Sequence, residues 1–300
     1  MTDKKIISQH GVYTVVYPAP EAAIPLIFDS PHSGRVYPPD FITQIPMEEL
    51  IRGEDRFVDE LFAAAPDYGA TMVCADFPRC YVDPNRSEHD LEDDIFDGQW
   101  DGPFDLRPTD KAHSGIGLIR RIFHNDQAMY EAPLPQDQIL RRIEAYHRPY
   151  HAALAQEIDR LYDQFGFVIH VNCHSMPEHS APILPVLSIL PFSPFYKRAD
   201  IVLGDRDGTT VSPYWRDKMM SLVEESGFSV KMNDPFKGVE IVRRHGRPDT
   251  HRHSIQIEVN RGLYLDRRER DKSRKFGMIQ TRLDYFMRGL SKAVRSMVHQ

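Results

Sequence analysis

Apolar and polar positions along this chain follow two periods. Short, nearly continuous apolar runs recur at Ile24–Phe28, Thr71–Ala75, Ile116–Ile122, Phe167–Cys173, Ile201–Leu203 and Ile255–Val259. Runs of that length and density read as strands covered on both faces. Helical patterns lie between them. Met47–Ala65 starts after Pro46 with Glu48 and Glu49 in its first turn, and Gly53 marks a point where it could split. Gln136–Phe165 repeats Ile139, Ile143, Tyr146, Tyr150, Leu154, Ile158 and Leu161 on one stripe, with a kink expected at Pro149. Pro213–Ser226 is a third helix. Lys272–Val298 is a fourth, with Phe276, Ile279, Leu283, Phe286, Leu290 and Val294 on one face. Strands alternating with helices predict an α/β class: a mixed, mostly parallel central sheet flanked by helices. No repeat, low-complexity segment or linker interrupts the pattern. A single domain over residues 1–300 is expected, with its core at 20–266 and an amphipathic helix at 272–298.

Composition narrows the class. The 300 residues carry 37 basic and 44 acidic side chains, a net charge of −7, and 41% are hydrophobic. That is enough apolar material for a full core. No run of 18 apolar residues occurs, so no membrane span is expected. The first residues, MTDKKIISQHGVY, have no apolar stretch behind the lysines, so no secretory signal is expected. The three cysteines, Cys74, Cys80 and Cys173, cannot form a disulfide scaffold and favour a reducing cytoplasm. The acidic balance argues against a nucleic-acid partner. The charge is uneven, since residues 266–300 hold ten basic and four acidic side chains. That tail reads as a solvated helix face.

In sheets of this class, sites gather beyond the carboxyl ends of strands. Three predicted strands end in metal-ligand chemistry. Ile24–Phe28 runs into Asp29-Ser30-Pro31-His32-Ser33-Gly34, which places His32 on a tight turn. In Phe167–Ser175, period two puts His170, Asn172 and His174 on one face and Ile169, Val171 and Cys173 on the other. His174 is nearest the exit, and Cys173 reads as core. Glu258 sits inside the apolar run IQIEV, where a charge is costly unless paired or functional. Two histidines and a carboxylate match the first shell of a catalytic zinc, which keeps a fourth position for water. Such water becomes a nucleophile near neutral pH, and a separate carboxylate then accepts its proton. No HExxH cluster is present.

A further segment, Phe77-Pro-Arg-Cys-Tyr-Val-Asp-Pro-Asn-Arg86, brackets Asn85 with Arg79 and Arg86. Guanidinium forks and an amide suit an anionic substrate or a developing oxyanion. The same residues could equally form a surface ion-pair cluster with the acidic stretch that follows.

These residues carry a family resemblance. DSPHSGRVYPPDF (29–41), EDRFVDELF (54–62), FPRCYVDPNR (77–86), GIGLIRR (115–121), YHRPYH (146–151), VNCHSMP (171–177), DIVLGDRDG (200–208), NDPFKG (233–238) and IQIEVNRGLYLD (255–266) occur in order. Together they resemble the N-formylglutamate amidohydrolase family, related in fold to zinc carboxypeptidases and aspartoacylases. The resemblance implies a zinc-dependent amidohydrolase with a carboxypeptidase-like architecture and a role in histidine degradation. It implies His32, Asp55 and His174 as metal ligands, with Glu54 the other candidate beside Asp55. Glu258 is similar to the general base of that fold, and Arg79 to the residue that holds the oxyanion. Asn85 and Arg86 resemble the pair that grips a substrate carboxylate, and Arg244 and Arg261 are further cations for a second one. The implied partner is a small acidic N-formyl or N-acyl amino acid, with a monomer or small homo-oligomer as the assembly.

Two other readings stay open on the sequence. One keeps the enzyme but changes the substrate to another N-acyl amino acid or a γ-glutamyl peptide. The other is a non-catalytic module that captures dicarboxylates through its arginines. His147 and His151, at i and i+4, read as packing or supporting residues, and His251 and His253 have no assigned role.

Overall fold

The computed structural model describes residues 4–184 and 197–298. In chain order the strands are β1 (Ile6–Gln9), β2 (Tyr13–Val16), β3 (Leu26–Ser30), β4 (Thr71–Ala75), β5 (Val168–Met176), β6 (Ile183–Leu184), β7 (Lys197–Arg198), β8 (Ile201–Gly204), β9 (Val230–Met232) and β10 (Arg252–Asn260). The helices are α1 (Met47–Leu50), α2 (Val58–Leu61), α3 (Asp110–His113), α4 (Gln136–Arg142), α5 (Arg148–Phe165), α6 (Pro213–Glu225), α7 (Glu240–His245) and α8 (Phe276–Val298).

Eight strands form one mixed sheet in the order β1-β2-β4-β3-β5-β10-β8-β9. The central four, β4-β3-β5-β10, are parallel. Their carboxyl ends therefore open on one side, which is where the expected ligand residues lie. Strands β5 and β10 pair residue for residue, with His170 opposite Ser254, Asn172 opposite Gln256 and His174 opposite Glu258.

Period two separates the two faces of these strands. Ile169, Val171, Cys173, Ile255, Ile257 and Val259 all enter one core with Met219 of α6 and Leu283, Phe286 and Leu290 of α8. Each such fully buried side chain stabilises the fold by about 2 kcal/mol. The opposite face packs against α4 and α5 through Ile139, Tyr150, Leu154 and Leu161. It also carries a polar column that leads to the site. No helix among the described residues is long and apolar enough to cross a membrane.

Three predicted elements differ. Ile116–Ile122 is not a strand. Its backbone closes isolated bridges, Ile116 with Arg120 and Ile122 with Ala128, and Gly115 turns the chain at φ 76°. The apolar Leu118 and Ile119 are buried, but the backbone bonds run to Asp90 and Gly115 rather than to a ladder. Met47–Ala65 splits at Gly53, and Phe57 at φ 61° precedes α2. Glu54 and Asp55 thus lie in the break and not inside a helix. The stripe from Gln136 to Phe165 is continuous in burial, but a π-turn at Ile143–His147 joins α4 to α5. Pro149 lacks an N–H and its ring would collide with the preceding turn, so the wider turn accommodates it. The β1–β2 edge hairpin and β9 carry no long apolar run and were not expected.

A candidate metal and active site

His32 lies two residues beyond β3, His174 near the end of β5, and Glu258 opposite it on β10. Asp55 comes from the break before α2, and its N–H donates to the His32 carbonyl at 2.9 Å. These four side chains are all buried. One donor atom from each of His32, Asp55 and His174 lies within 4.8 Å of the others. Asp55 Oδ2 is 3.4 Å from His32 Nδ1 and 3.0 Å from His174 Nδ1. Glu54 turns away, accepting from Tyr37 at 2.6 Å and Arg56 at 3.2 Å. Burial pushes its carboxyl up to about 7, against those two partners.

The far nitrogens of both rings are fixed. His32 Nε2–H donates to Asp83 at 2.7 Å. His174 Nε2–H donates to the Asn172 carbonyl oxygen at 2.7 Å. Asn172 cannot turn over, because its amide nitrogen donates to Asp29 at 2.8 Å. Each ring then turns its Nδ1 toward Asp55 Oδ2. His32 Nδ1 is buried with no hydrogen-bond partner. Burial first, then the neighbouring His32, lowers the His174 pKa and favours its neutral form. The donor set therefore fits a divalent metal, and two imidazoles with one carboxylate suit zinc.

Burial works to raise Asp55, but contacts with His174, His32 and Arg261 outweigh it and hold the carboxyl well below the usual range. Glu258 moves the other way. Burial and the charge of Asp55 push it up, and Arg79 and Arg261 offset only part of this. The two neighbouring carboxyls thus shift in opposite directions.

A cavity of about 420 Å³ opens above these residues. Seven Arg or Lys side chains line it against two acids, Asp55 and Glu258. The net −7 of the chain thus hides a strongly cationic pocket. Arg79 donates to Asp83 through Nε at 3.2 Å and Nη2 at 2.7 Å, and its Nη1 is 3.9 Å from Asp55. Arg261 is committed. It donates to Asp55 at 2.9 Å, to the Glu54 carbonyl at 2.8 Å and to Ser175 at 3.1 Å. It holds the Asp55 carboxylate and is not a free cation for a second substrate group. Arg244 is exposed on α7 and does not line the cavity. Asn85 lines it; its oxygen accepts from the Ile241 N–H at 3.0 Å, and its amide nitrogen is 3.1 Å from His174 Nε2. Arg86 lines it beside Asn85.

Residues not singled out from the sequence complete the site. Asp83 accepts from His32, Arg79 and the Asn85 N–H. Arg120 lines the cavity from the segment first read as a strand. His147 and His151 find their place here: their Nε2–H groups donate to the carbonyls of Arg86 at 2.9 Å and Pro84 at 2.8 Å. They clamp the loop that presents Asp83, Asn85 and Arg86. Cys173 is buried in the core on the opposite face, and burial pushes its thiol well up.

Known proteins share this arrangement of sequence and fold. N-formylglutamate deformylase of Pseudomonas putida is 27% identical over 253 residues, covering 83% of this chain and 85% of that protein. N-formylglutamate deformylase of Pseudomonas aeruginosa is 26% identical over 248 residues, 81% of this chain and 83% of that one. The crystal structure of N-formylglutamate amidohydrolase from Ralstonia eutropha JMP134 superposes with a TM-score of 0.86 at 38% identity, over 95% of this chain and 99% of that one. The sequence model of the family described as N-formylglutamate amidohydrolase matches residues 24–265, and the chain belongs to that family.

Proposed function

We propose that the chain is a zinc-dependent amidohydrolase that cleaves the formyl amide of N-formyl-L-glutamate to glutamate and formate. The observation that carries this reading is the convergence of His32, Asp55 and His174, with an unpartnered His32 Nδ1, at the floor of a cation-lined cavity. His32, Asp55 and His174 would hold the metal, which when bound supplies a Lewis acid that polarises the carbonyl and acidifies water.

The chain's own residues do the rest. Glu258 takes a proton from water as its oxygen adds to the formyl carbon. It returns the proton to the amide nitrogen as the C–N bond breaks, so glutamate leaves as the amine and formate as the acid. Arg79 donates to the oxyanion that develops on the formyl oxygen. Arg86 and Asn85 hold a substrate carboxylate. Asp83 and Asn172 keep both ligand rings in the Nε2–H tautomer. Three unpaired cysteines fit a reducing cytoplasm.

Formate and free amine are measured with zinc-loaded protein on a panel of N-formyl and N-acyl amino acids. N-formylglutamate is expected to turn over fastest. Glu258→Gln should keep one zinc per chain and lose on the order of 10³-fold in kcat. No turnover of any panel member after zinc loading, or full activity in Glu258→Gln, would overturn the reading.

A further inference from the structure

Counting partners separates the cavity's arginines. Asp83 is the carboxylate that acts on all three of Arg79, Arg86 and Arg120, with Asp90 a further influence on Arg86, and Asp83 is saturated. One oxygen accepts from His32 and the Asn85 N–H, the other from two nitrogens of Arg79. A carboxylate offers about four acceptor sites, so nothing is left for the other two guanidiniums. Arg86 and Arg120 make no side-chain hydrogen bond or ion pair among the described residues, although neither is fully exposed. Arg261 is spent on Asp55, and Lys237 reaches Asp207 at 2.9 Å. Arg52 and Lys111 are exposed at the rim, where water satisfies them. Two half-buried cations that repel each other and make no ion pair of their own mark a place for two anionic groups.

The root of Arg120 is held firmly. Leu118 donates its N–H to the Asp90 carbonyl at 2.8 Å and accepts from the Asp83 N–H at 2.8 Å. Arg121 donates its N–H to Gly115 at 2.8 Å, and its side chain turns away to Asp94 at 2.9 Å. A side chain at Gly117 would come within 2.6 Å of the Asp90 carbonyl, so this turn needs glycine. The turn therefore presents Arg120 from a fixed backbone, and little ordering is left for binding to supply.

The order of the cations follows from their neighbours. Asn85, next to Arg86, is 3.1 Å from the ligand ring of His174. Burial is the largest influence on both groups; the charges that follow it are Arg79 and Asp83 for Arg120, and Asp55, Arg79 and Arg261 for Glu258. Arg79 therefore acts on both Arg120 and Glu258. An α-carboxylate is bonded one carbon from the reacting nitrogen and belongs near Asn85 and Arg86. A side-chain carboxylate reaches farther.

We propose that Arg120 is the specificity-determining residue of the site: its guanidinium receives the side-chain carboxylate of the substrate, while Arg86 and Asn85 receive the α-carboxylate. This rests on the deformylase reading and replaces Arg244 and Arg261 as the second carboxylate's partner. The cavity then selects dicarboxylic N-formyl amino acids over those with neutral side chains.

The test compares N-formyl-L-glutamate with N-formyl-L-glutamine, which keeps shape and α-carboxylate but loses one charge. Wild-type kcat/KM should favour the glutamate compound by about 100-fold, since a charged pair on one side would face a neutral amide on the other. Arg120→Gln should cut N-formylglutamate by about the same factor and leave N-formylglutamine within about threefold. Arg120→Lys should restore part of the preference. Equal loss on both substrates, or no preference in the wild type, would overturn the assignment. Calorimetry with glutarate and with its mono-amide, glutaramate, reads the same site without turnover. Tighter glutarate binding that Arg120→Gln abolishes supports the assignment even if no formyl compound is hydrolysed, in which case only the deformylase reading fails. Equal affinity of the wild type for the two probes overturns it.

Discussion

Two polar clusters share one face of β5 and β10, four residues apart. The first joins Asp29, His170, Tyr150, Asn172 and Ser254. The second joins Asp55, His32, His174 and Glu258. Both are buried and both are built on Asp and His. In the first, every group is matched: Asp29 accepts from His170 at 2.8 Å, Tyr150 at 2.6 Å and Asn172 at 2.8 Å, and the other nitrogen of His170 meets Ser254 at 2.8 Å. In the second, His32 Nδ1 has no hydrogen-bond partner, the Nδ1 atoms of both rings converge on one carboxylate oxygen, and a cavity opens above. Burial and composition do not distinguish a structural cluster from a reactive one. Satisfaction does, because a closed network is complete without a ligand and an open one is not.

The same chemical change should therefore have opposite consequences in the two clusters. Asp55→Asn is expected to reduce turnover by on the order of 10³-fold, comparable with losing an oxyanion-hole donor. It should also leave less than one zinc per chain, with a smaller stability loss in the metal-free protein than Asp29→Asn, because Arg261 keeps the Glu54 carbonyl and Ser175 as acceptors. Asp29→Asn replaces an acceptor with a donor in front of three donors. It should destabilise the protein by about 3 kcal/mol, because a buried pair is broken and its partners are left unmatched. Denaturant titration of both metal-free variants measures the contrast. Equal stability losses would erase the distinction between the clusters.

The two ligand rings sharpen the comparison at the next level. His32 leans on a charged acceptor, Asp83, and His174 on a neutral one, Asn172. The charged support lies on the cation-lined side, where Arg79 balances it. The neutral support lies toward the sheet interior, where Asp29 orients it. Asp83→Asn keeps the shape but weakens the acceptor and leaves the amide nitrogen facing either His32 or Arg79. Zinc affinity is expected to fall about 10- to 100-fold, the usual cost of removing such a support. Competition with a chromogenic chelator reads this directly, and an unchanged affinity would show that Asp83 serves Arg79 alone.

How much of this was legible in the sequence depends on the range of each interaction. The central strands announced themselves because parallel strands buried on both faces are dense in apolar residues. His32, His174 and Glu258 stood out because polar groups at such strand ends are expensive. Asp55 rested on family resemblance, since it lies in a break that no periodicity marks. The Asp83–His32 bond spans 51 positions and leaves no local trace. Arg120 was missed for a related reason. Its importance lies in having no partner, and that is known only after the partners of Arg79, Arg121 and Arg261 have been counted. Arg244 sits in a similar stretch of sequence but points to solvent from α7, which residue type alone cannot reveal.

The smallest expected effect belongs to the clamp on the loop 83–86. His151 donates to the Pro84 carbonyl at 2.8 Å, and burial lowers its pKa well below the ordinary value, so it stays neutral and keeps a single donor. Its bond fixes the loop from behind, without touching the cavity. His151→Leu removes the donor and leaves that carbonyl unpaired. KM for N-formylglutamate should rise by about fivefold with kcat within about twofold, because the loop carries Arg86, the proposed carboxylate partner, but no group proposed to move a proton. His151→Gln places an amide N–H where Nε2 stood and should recover most of the loss. A merely structural role would lower stability in both variants and leave KM alone. A drop in kcat would instead mean that the clamp acts through Asp83 on His32, which would tie the two ends of the pocket together.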